Sequence, residues 1–361
     1  MEGTEPEQVP AEVYAGVLLG TAVGDALGLP AEGLSPRRIR QRWNGDWRMR
    51  LVAGRGMISD DTEHTLMVAQ ALLAEPEDVR RFERILGWKL RWWFLGLPGG
   101  VGWATAKACL KLWLGFPAGR SAVLSGGSGP AMRSAILGAY FARDHQRRRE
   151  FVAASTRLTH RGWQAETAAL AVAELAALSV RRQGQPPVAE LLEVLLALSA
   201  EPQWRKLLGQ MEESLAVGSS VGDFAVRLGL GQGVTGYALH VVPMAIYAWA
   251  RHPRDFRLAL TSVLDCGGDT DTTGAILGAL AGAVGGREAI PSAWVAGIAE
   301  WPRSVGFVER VAGRLTEQRR GKQTLGPIRV FWPGVLIRNL VFLVVILGHG
   351  FRRLLPPWGG G

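Results

Sequence analysis

Four glycines at intervals of four residues restrict what the first apolar segment of this chain can fold into. Gly16, Gly20, Gly24 and Gly28 lie in residues 12–29, where small and apolar residues predominate. A helix places residues four apart on one face. Each glycine costs a helix roughly 1 kcal/mol relative to alanine. We therefore expect a helix whose glycine face is pressed against another backbone, the glycines serving helix packing.

One carboxylate interrupts this apolar segment. Asp25 lies among residues that favour burial, and a buried carboxylate needs hydrogen-bond donors, a counter-charge or a metal ion. Glu32 follows in a loop just after the predicted end of the helix. From the sequence alone, a loop carboxylate is most simply explained as solvated.

A pair of carboxylates bracketed by glycines is the most distinctive chemical feature. Residues 267–274 read GGDTDTTG, so Asp269 and Asp271 are each followed by a threonine. Hard oxygen ligands of this kind suit Mg²⁺, Ca²⁺ or Mn²⁺. Residues 275–283 then form a small-residue helix typical of a protein core. Two buried like charges repel unless a cation or a shared proton neutralises them.

A second acidic cluster lies about 200 residues upstream. Ser59, Asp60, Asp61 and Thr62 precede a helix predicted over residues 62–73. Capping that helix needs only one such side chain. Together the two clusters supply about six hard oxygen ligands, which suits a pair of Mg²⁺-sized ions.

Glycine-rich segments are candidates for holding a ligand. Residues 125–133 read SGGSGPAMR and precede a predicted helix. Bare N–H groups at such a position commonly bind phosphate, although a plain turn explains the same letters. Arg133 could add charge to a pyrophosphate or form a structural ion pair. A similar segment, residues 231–240, opens another apolar helix further along the chain. His160 could contact a ligand or cap a helix.

The rest of the pattern predicts an all-α protein. Helical periodicity recurs along the chain, without the period-two alternation of strands and without an internal repeat. The hydrophobic fraction of 48% over 361 residues is ample for a core. We expect residues 12–320 to form a single orthogonally packed multi-helix domain after a flexible lead, residues 1–11.

Charge and cysteine content bear on partners and compartment. The net charge of +9 comes from short arginine runs, which we interpret as solvated faces rather than as a nucleic-acid groove. Two cysteines without a CxxC spacing argue against a disulfide scaffold or a cysteine zinc site. Residues 1–11 lack the basic and apolar regions of a secretory signal. A cytoplasmic location is expected.

Residues 326–361 form a separate apolar and basic C-terminal extension. Its densest apolar run, residues 340–347, lies between Arg338 and the pair Arg352 and Arg353. The run is shorter than the roughly 20 apolar residues of a spanning helix. We favour a helix docked on the domain or on a partner. The alternative is an interfacial helix that associates with a membrane surface through residues 328–353.

Six of these blocks together resemble the ADP-ribosylglycohydrolase family, which includes dinitrogenase-reductase-activating glycohydrolases and animal ADP-ribosylhydrolases. The resemblance covers residues 12–315 with the blocks in the family's order. The blocks are GDALG at 24–28 with Glu32, SDDT at 59–62, GPAMR at 129–133, TH at 159–160, GYA at 236–238 and GDTDT at 268–272.

The resemblance implies a metal-dependent hydrolase of the C1″ glycosidic linkage of ADP-ribose, which acts on an ADP-ribosylated protein side chain or a small-molecule conjugate. It implies a binuclear Mg²⁺ centre, with Mn²⁺ as the alternative ion. The implied metal ligands are Ser59, Asp60, Asp61, Asp269, Asp271 and Thr272. The implied catalytic carboxylates are Glu32 and Asp61, either of which could activate water. The implied substrate contacts are Gly127, Ser128, Gly129, Pro130, Ala131 and Met132 for the pyrophosphate, and His160, Gly233, Gly236 and Tyr237 near the adenosine or distal ribose.

Two departures from the family pattern bear on the substrate. Gly99 and Gly100 stand near the place where some arginine- or nitrogenase-directed relatives carry an aspartate, which weakens the case for an arginine linkage. Ser128 replaces an asparagine common in the phosphate loop. The alternatives are a non-catalytic ADP-ribose-binding or crystallin-like member, and a hydrolase of another conjugate such as a nucleoside or O-acetyl-ADP-ribose. The complete ligand set favours an enzyme.

Overall fold

The structure, a computed structural model, describes residues 11–321 and 323–354. Within those residues β pairing is limited to isolated bridges, so the predicted all-α class is confirmed. Except for Ala11, the predicted flexible lead lies outside the described residues. The helices are α1 Ala11–Gly28, α2 Pro36–Trp43, α3 Asp60–Ala74, α4 Val79–Leu95, α5 Trp103–Trp113, α6 Ala135–Tyr140, α7 His145–Arg157, α8 Trp163–Arg182, α9 Val188–Leu196, α10 Pro202–Ala216, α11 Val221–Arg227, α12 Ala238–Arg251, α13 Phe256–Leu264, α14 Thr270–Gly285, α15 Ser292–Gly297, α16 Val305–Gly321 and α17 Trp332–Leu354.

Helices α1 and α14 pack backbone to backbone at the centre of the domain. A Cβ atom added at Gly20 would lie 2.1 Å from the carbonyl oxygen of Gly278, and one at Gly24 would lie 2.0 Å from that of Gly274. Real Cβ atoms do not approach an oxygen so closely, so only glycine permits this contact. The glycine face of α1 is therefore pressed against another backbone, as predicted, and its partner is α14.

Both central helices are apolar on nearly every side, which is typical of helices surrounded by others. By length and composition alone residues 12–31 could cross a membrane, but 94% of the apolar window is buried inside the protein. Helices α3, α6 and α16 pack on α1, whereas α8, α12 and α13 pack on α14. These layers fix the N-termini of α3 and α14 near the C-terminus of α1.

Not every helix of the structure was expected from the sequence. Helices α2, α7, α10 and α11 were not predicted. Their sequences are short or strongly charged, as in the HQRRRE start of α7, so a weak apolar stripe is masked by polar residues.

The C-terminal helix α17 is docked on the domain by one face. Phe342 is buried against Leu29, Leu51 and Met57. The amide Nδ2 of Asn339, itself buried, donates to the carbonyl oxygen of Gly96 at 2.8 Å. This arrangement agrees with the favoured docking interpretation. The opposite face of α17 is exposed, and only 28% of its apolar window is buried.

Candidate active site

The two acidic clusters meet where α3 and α14 begin. The hydroxyl of Thr272 donates to Asp61 Oδ2 at 3.3 Å, a contact between residues 211 positions apart. Asp61 is 1% exposed and Asp271 is 5% exposed. The fold therefore brings the SDDT and GDTDT segments together at one buried place.

Asp25 organises the turn that leads into α3. Its carboxylate accepts the backbone N–H of Ser59 at 2.9 Å, the backbone N–H of Thr62 at 3.2 Å and the hydroxyl of Thr62. Ser59 caps α3, because its Oγ accepts the Asp61 N–H at 3.3 Å, and its hydroxyl donates to Asp61 Oδ2 at 3.1 Å. Burial raises the pKa of Asp25 to about 6. This carboxylate is a positioning residue for the SDDT segment.

Two left-handed glycines shape the turn before α14. Gly267 and Gly268 have φ values of 68° and 81°, which favour glycine. A Cβ atom at Gly268 would lie 1.9 Å from the carbonyl oxygen of Val234. The Gly33 N–H donates to the Gly268 carbonyl oxygen at 2.7 Å, and this bond ties the turn to the loop that carries Glu32. The acidic turn is therefore held between two other segments of the chain.

The threonines of residues 270–273 divide into two groups. Thr270 donates to the carbonyl oxygen of Gly28 at 2.8 Å, and Thr273 donates to that of Asp269. Both hydroxyls therefore donate to backbone carbonyl oxygens. The Thr272 hydroxyl faces Asp61 instead.

The clustered carboxylates lie in an unfavourable environment when no cation is present. Burial, followed by the neighbouring carboxylates, raises the pKa values of Asp60, Asp61 and Asp271 well above their ordinary range. Burial also raises the pKa of Asp269. A divalent cation relieves such repulsion.

The donor set fits hard divalent ions. Among the described residues, Asp61 Oδ1 and Asp271 Oδ1 are buried and lack a hydrogen-bond partner, which is costly for a carboxylate. No group of three His, Cys, Asp or Glu side chains within the described chain is already gathered as a ligand set. The six implied ligands are carboxylate and hydroxyl oxygens, which Mg²⁺ and Mn²⁺ prefer.

A cavity of about 590 Å³ opens over the acidic floor, a volume within the range of small-molecule sites. Its lining includes both carboxylates and residues of the glycine-rich loop. The predicted site residues that line the cavity are Glu32, Asp60, Asp269, Asp271, Thr272, Gly127, Ser128, Gly129, Met132, His160 and Gly236.

His160 lies directly behind the glycine-rich loop. A Cβ atom at Gly127 would lie 3.0 Å from His160 Nε2, and one at Gly129 would lie 3.2 Å from Cε1. His160 Nδ1 is 2.9 Å from the Thr159 hydroxyl. Burial, together with the charge of Arg133, lowers the pKa of His160 to about 3, so the ring is neutral. His160 thus lines the cavity and does not cap the following helix.

Four of the predicted substrate contacts do not line the cavity but pack behind the residues that do. Pro130 and Ala131 are buried beneath the loop. Gly233, with φ of 134°, packs against the backbone of Gly268. The Tyr237 ring lies edge-on to His240 at 5.0 Å between centroids, and Tyr237 is the N-cap residue of α12.

Arg133 lies behind the cavity wall and is fully buried. Its guanidinium donates to Thr159 Oγ1 at 2.8 Å, to the Ser155 hydroxyl at 3.1 Å and to His64 Nδ1 at 2.9 Å. Burial lowers its pKa to about 10, so it is charged at neutral pH. Arg133 links α3 to the Thr159–His160 segment and does not line the cavity. This placement favours neither a contact with a pyrophosphate nor a structural ion pair, the two roles suggested by the sequence.

Sequence reasoning missed several residues at the rim. Trp103, Thr105 and Lys107 of α5 line the cavity, and the Lys107 ammonium lies 4.8 Å from the Trp103 ring centroid. Trp103 is 75% exposed. The only sequence feature that could have indicated this rim is an aromatic and a basic residue four positions apart, Trp103 and Lys107, after a glycine. Many surface helices share that feature.

A contact from the C-terminal helix to the SDDT segment was also missed. Glu300 Oε2 accepts the backbone N–H of Ile58 at 3.1 Å, and the Arg338 guanidinium donates to the Ile58 carbonyl oxygen. Arg338 and Glu300 are paired at 2.7 Å, and Arg338 is only 6% exposed. The ion pair therefore binds both the N–H and the carbonyl oxygen of Ile58, the residue that precedes Ser59.

Comparison with known proteins gives a consistent result. The family model described as ADP-ribosylglycohydrolase matches residues 6–324. An uncharacterized protein of Archaeoglobus fulgidus is 32% identical, over 85% of this chain and 96% of its own. The ADP-ribosyl-[dinitrogen reductase] glycohydrolase of Rhodospirillum rubrum is 27% identical, over 78% of this chain and 88% of its own length. A solved structure titled ADP-ribosylglycohydrolase-related protein complex has a TM-score of 0.62 and 26% identity, over 86% of this chain and 98% of that chain.

Proposed function

Because this chain belongs to the ADP-ribosylglycohydrolase family, we propose that it hydrolyses the C1″ linkage of an ADP-ribose conjugate and releases ADP-ribose. The conjugate is a modified protein side chain or a small molecule. The observation that carries this proposal is the convergence of the SDDT and GDTDT segments on the floor of the cavity, joined by the Thr272–Asp61 hydrogen bond.

The proposed cofactor is a pair of Mg²⁺ ions, with Mn²⁺ as the alternative. Ser59, Asp60, Asp61, Asp269, Asp271 and Thr272 would hold them. Such ions neutralise clustered carboxylates and polarise bound oxygens. The partnerless buried oxygens of Asp61 and Asp271 support this assignment.

The residues of the chain have distinct proposed roles around the substrate. Glu32 lines the cavity near the acidic floor and would accept the proton of the attacking water, with Asp61 as the alternative base. A carboxylate close to the reacting carbon would stabilise the positive charge of the oxocarbenium-like transition state of glycosidic cleavage. In the same cavity, the backbone around Gly127 and Gly129 would bind the pyrophosphate, because a loop without side chains allows phosphate oxygens to approach closely.

The experiment measures free ADP-ribose after the protein is incubated with serine-, arginine-, nucleic-acid- and acetyl-linked conjugates, with Mg²⁺ or with a chelator. We expect Mg²⁺-dependent release from at least one conjugate. Glu32→Gln should lower the rate by about 100-fold or more, since proton transfer alone contributes that much. Asp60→Ala and Asp271→Ala should each lower it by about 100-fold or more, because each removes an implied metal ligand.

Glu212→Gln is the matched control, because Glu212 is exposed on α10 and does not line the cavity. It should leave the rate unchanged. Unchanged release in all three site variants would refute the scheme. Tight ADP-ribose binding without release from any conjugate would instead favour a binding protein.

A further inference from the structure

The outer face of α17 is a continuous apolar stripe. Its residues recur every three or four positions over about four turns, and each is 47–70% exposed. This spacing places them on one side of the helix. We call this stripe the outer face; it consists of Ile337, Leu340, Val341, Val344, Leu347 and Phe351.

A cluster of tryptophans continues the apolar surface at the start of α17. The Trp332 ring lies 5.8 Å from that of Trp92, which lies 6.1 Å from that of Trp113. Trp88, one turn earlier on α4, is 53% exposed. Tryptophan has an apolar body and a polar N–H, and it is enriched where a protein meets the interfacial region of a bilayer. Three separate helices contribute to this cluster.

Two of the chain segments on this side of the molecule contain no acidic residue. Residues 84–143, which include most of α4 and all of α5, have no Asp or Glu, and neither do residues 318–361. Basic residues flank the tryptophans, including Lys89, Arg91, Lys107 and Lys111. The Arg91 guanidinium lies 4.5 Å from the Trp88 ring centroid. Exposed apolar side chains with these basic residues beside them complement an anionic lipid surface.

We propose that the outer face and the tryptophan cluster dock on the surface of an anionic lipid bilayer, with α17 lying in the plane of the interface. The proposal is independent of the proposed hydrolase activity. Helix α17 lies on the membrane and does not span it, because its inner face is fixed to the domain. Withdrawal of Arg338 would break its ion pairs with Glu300 and Glu63 and would carry the arginine charge into hydrocarbon.

The charge distribution also distinguishes a bilayer from a second copy of the chain. If two copies paired through this surface, their basic residues would bring like charges together at a symmetric interface. Anionic lipid headgroups instead supply the missing negative charge, at roughly 1 kcal/mol for each basic residue near the surface.

The test is co-sedimentation of the full chain with vesicles of phosphatidylcholine and phosphatidylserine, compared with pure phosphatidylcholine. We expect binding to the anionic vesicles that weakens as salt is added, with a blue shift of tryptophan fluorescence. Val344→Asp should weaken binding at least about tenfold, because it removes buried apolar area and adds a repelled charge.

Val226→Asp is the matched control, since Val226 is 66% exposed on α11 and Val344 is 70% exposed. It should bind as the unchanged chain does, and both variants should show the same thermal unfolding. Equal binding of the two variants, or no binding to anionic vesicles, would overturn the proposal. So would a lipid-free dimer, detected by sedimentation, that only Val344→Asp dissociates.

Discussion

At the scale of single residues, Asp25 shows how a buried carboxylate can be required without lining the cavity. Its oxygens accept two backbone N–H groups and one hydroxyl from the SDDT segment. Those donors would otherwise be buried without partners at the start of α3. The carboxylate therefore fixes the direction in which Asp60 and Asp61 leave the helix terminus.

We predict that Asp25→Asn weakens Mg²⁺ binding and ADP-ribose release by about 10- to 100-fold, the usual effect of losing a residue that orients metal ligands. The amide N–H₂ would face N–H donors and could replace only part of the bonding. Thermal shift against Mg²⁺ concentration measures the affinity without relying on activity.

Asp144→Asn serves as the control for this prediction. Asp144 also accepts a backbone N–H, that of Arg147, but at the exposed start of α7, where asparagine caps equally well. Its Mg²⁺ response should match that of the unchanged chain. A normal Mg²⁺ response in Asp25→Asn would contradict the positioning role.

Residues were predictable where their chemistry is costly in a core. Asp61 and Asp271 were predicted as site residues because burying paired carboxylates beside small apolar residues is costly unless a cation neutralises them. The structure brings the two segments together. Lys107 and Arg338 were not predicted as part of the site. Their side chains are ordinary in sequence, and only the packing of distant helices places them at the rim or beneath the SDDT segment.

At the scale of elements, the α1–α14 contact depends on the absence of side chains on both helices. Gly20 and Gly278 each lack room for one more carbon atom, because the obstacle is backbone. Backbone cannot move aside as a flexible side chain can. The two helices would have to separate, and this would disturb the start of α14 where Asp269 and Asp271 lie.

We predict that Gly20→Ala lowers the free energy of unfolding by about 3 kcal/mol, the upper part of the range for overpacking. Gly313→Ala is the control, because a Cβ atom there would meet no atom of the described residues within 4 Å in helix α16. It should raise stability by about 0.4–1 kcal/mol. Chemical denaturation measures whether the free energy of unfolding falls in Gly20→Ala and rises in Gly313→Ala. Similar stabilities of the two variants would contradict the packing argument.

Helix periodicity predicted the long apolar elements, and α1 and α14 are both found in the structure close to the expected positions. It could not predict which helices pair, because α1 and α14 are far apart in sequence and spacing carries no information on partners. For α17 the sequence showed an apolar run, but the buried Arg338–Glu300 pair that fixes one face depends on residues 38 positions apart.

At the scale of the whole molecule, the acidic floor couples stability to pH when no metal is bound. The pKa of Asp25 rises from 3.8 to about 6 on folding, mainly through burial. Asp60, Asp61 and Asp271 shift in the same direction. The folded chain therefore binds more protons than the unfolded chain above pH 4, so stability falls as pH rises through this range.

We predict that the chelator-treated protein melts at a higher temperature at pH 5 than at pH 7. Added Mg²⁺ should raise the melting temperature more at pH 7, where the floor carries more negative charge. Differential scanning fluorimetry across pH, with and without Mg²⁺, provides the measurement. Asp60→Asn combined with Asp271→Asn should flatten the metal-free profile, and a metal-free melting temperature that rises from pH 5 to pH 7 would contradict the prediction.

The pairing of α1 with α14 also has a consequence for biosynthesis. Gly28 and its partner Thr270 are 242 residues apart. At 5–20 residues per second, a ribosome needs roughly 10 to 50 seconds to make the intervening chain. Throughout that interval α1, an apolar segment long enough to cross a membrane, has been synthesised while the helix that covers its glycine face has not.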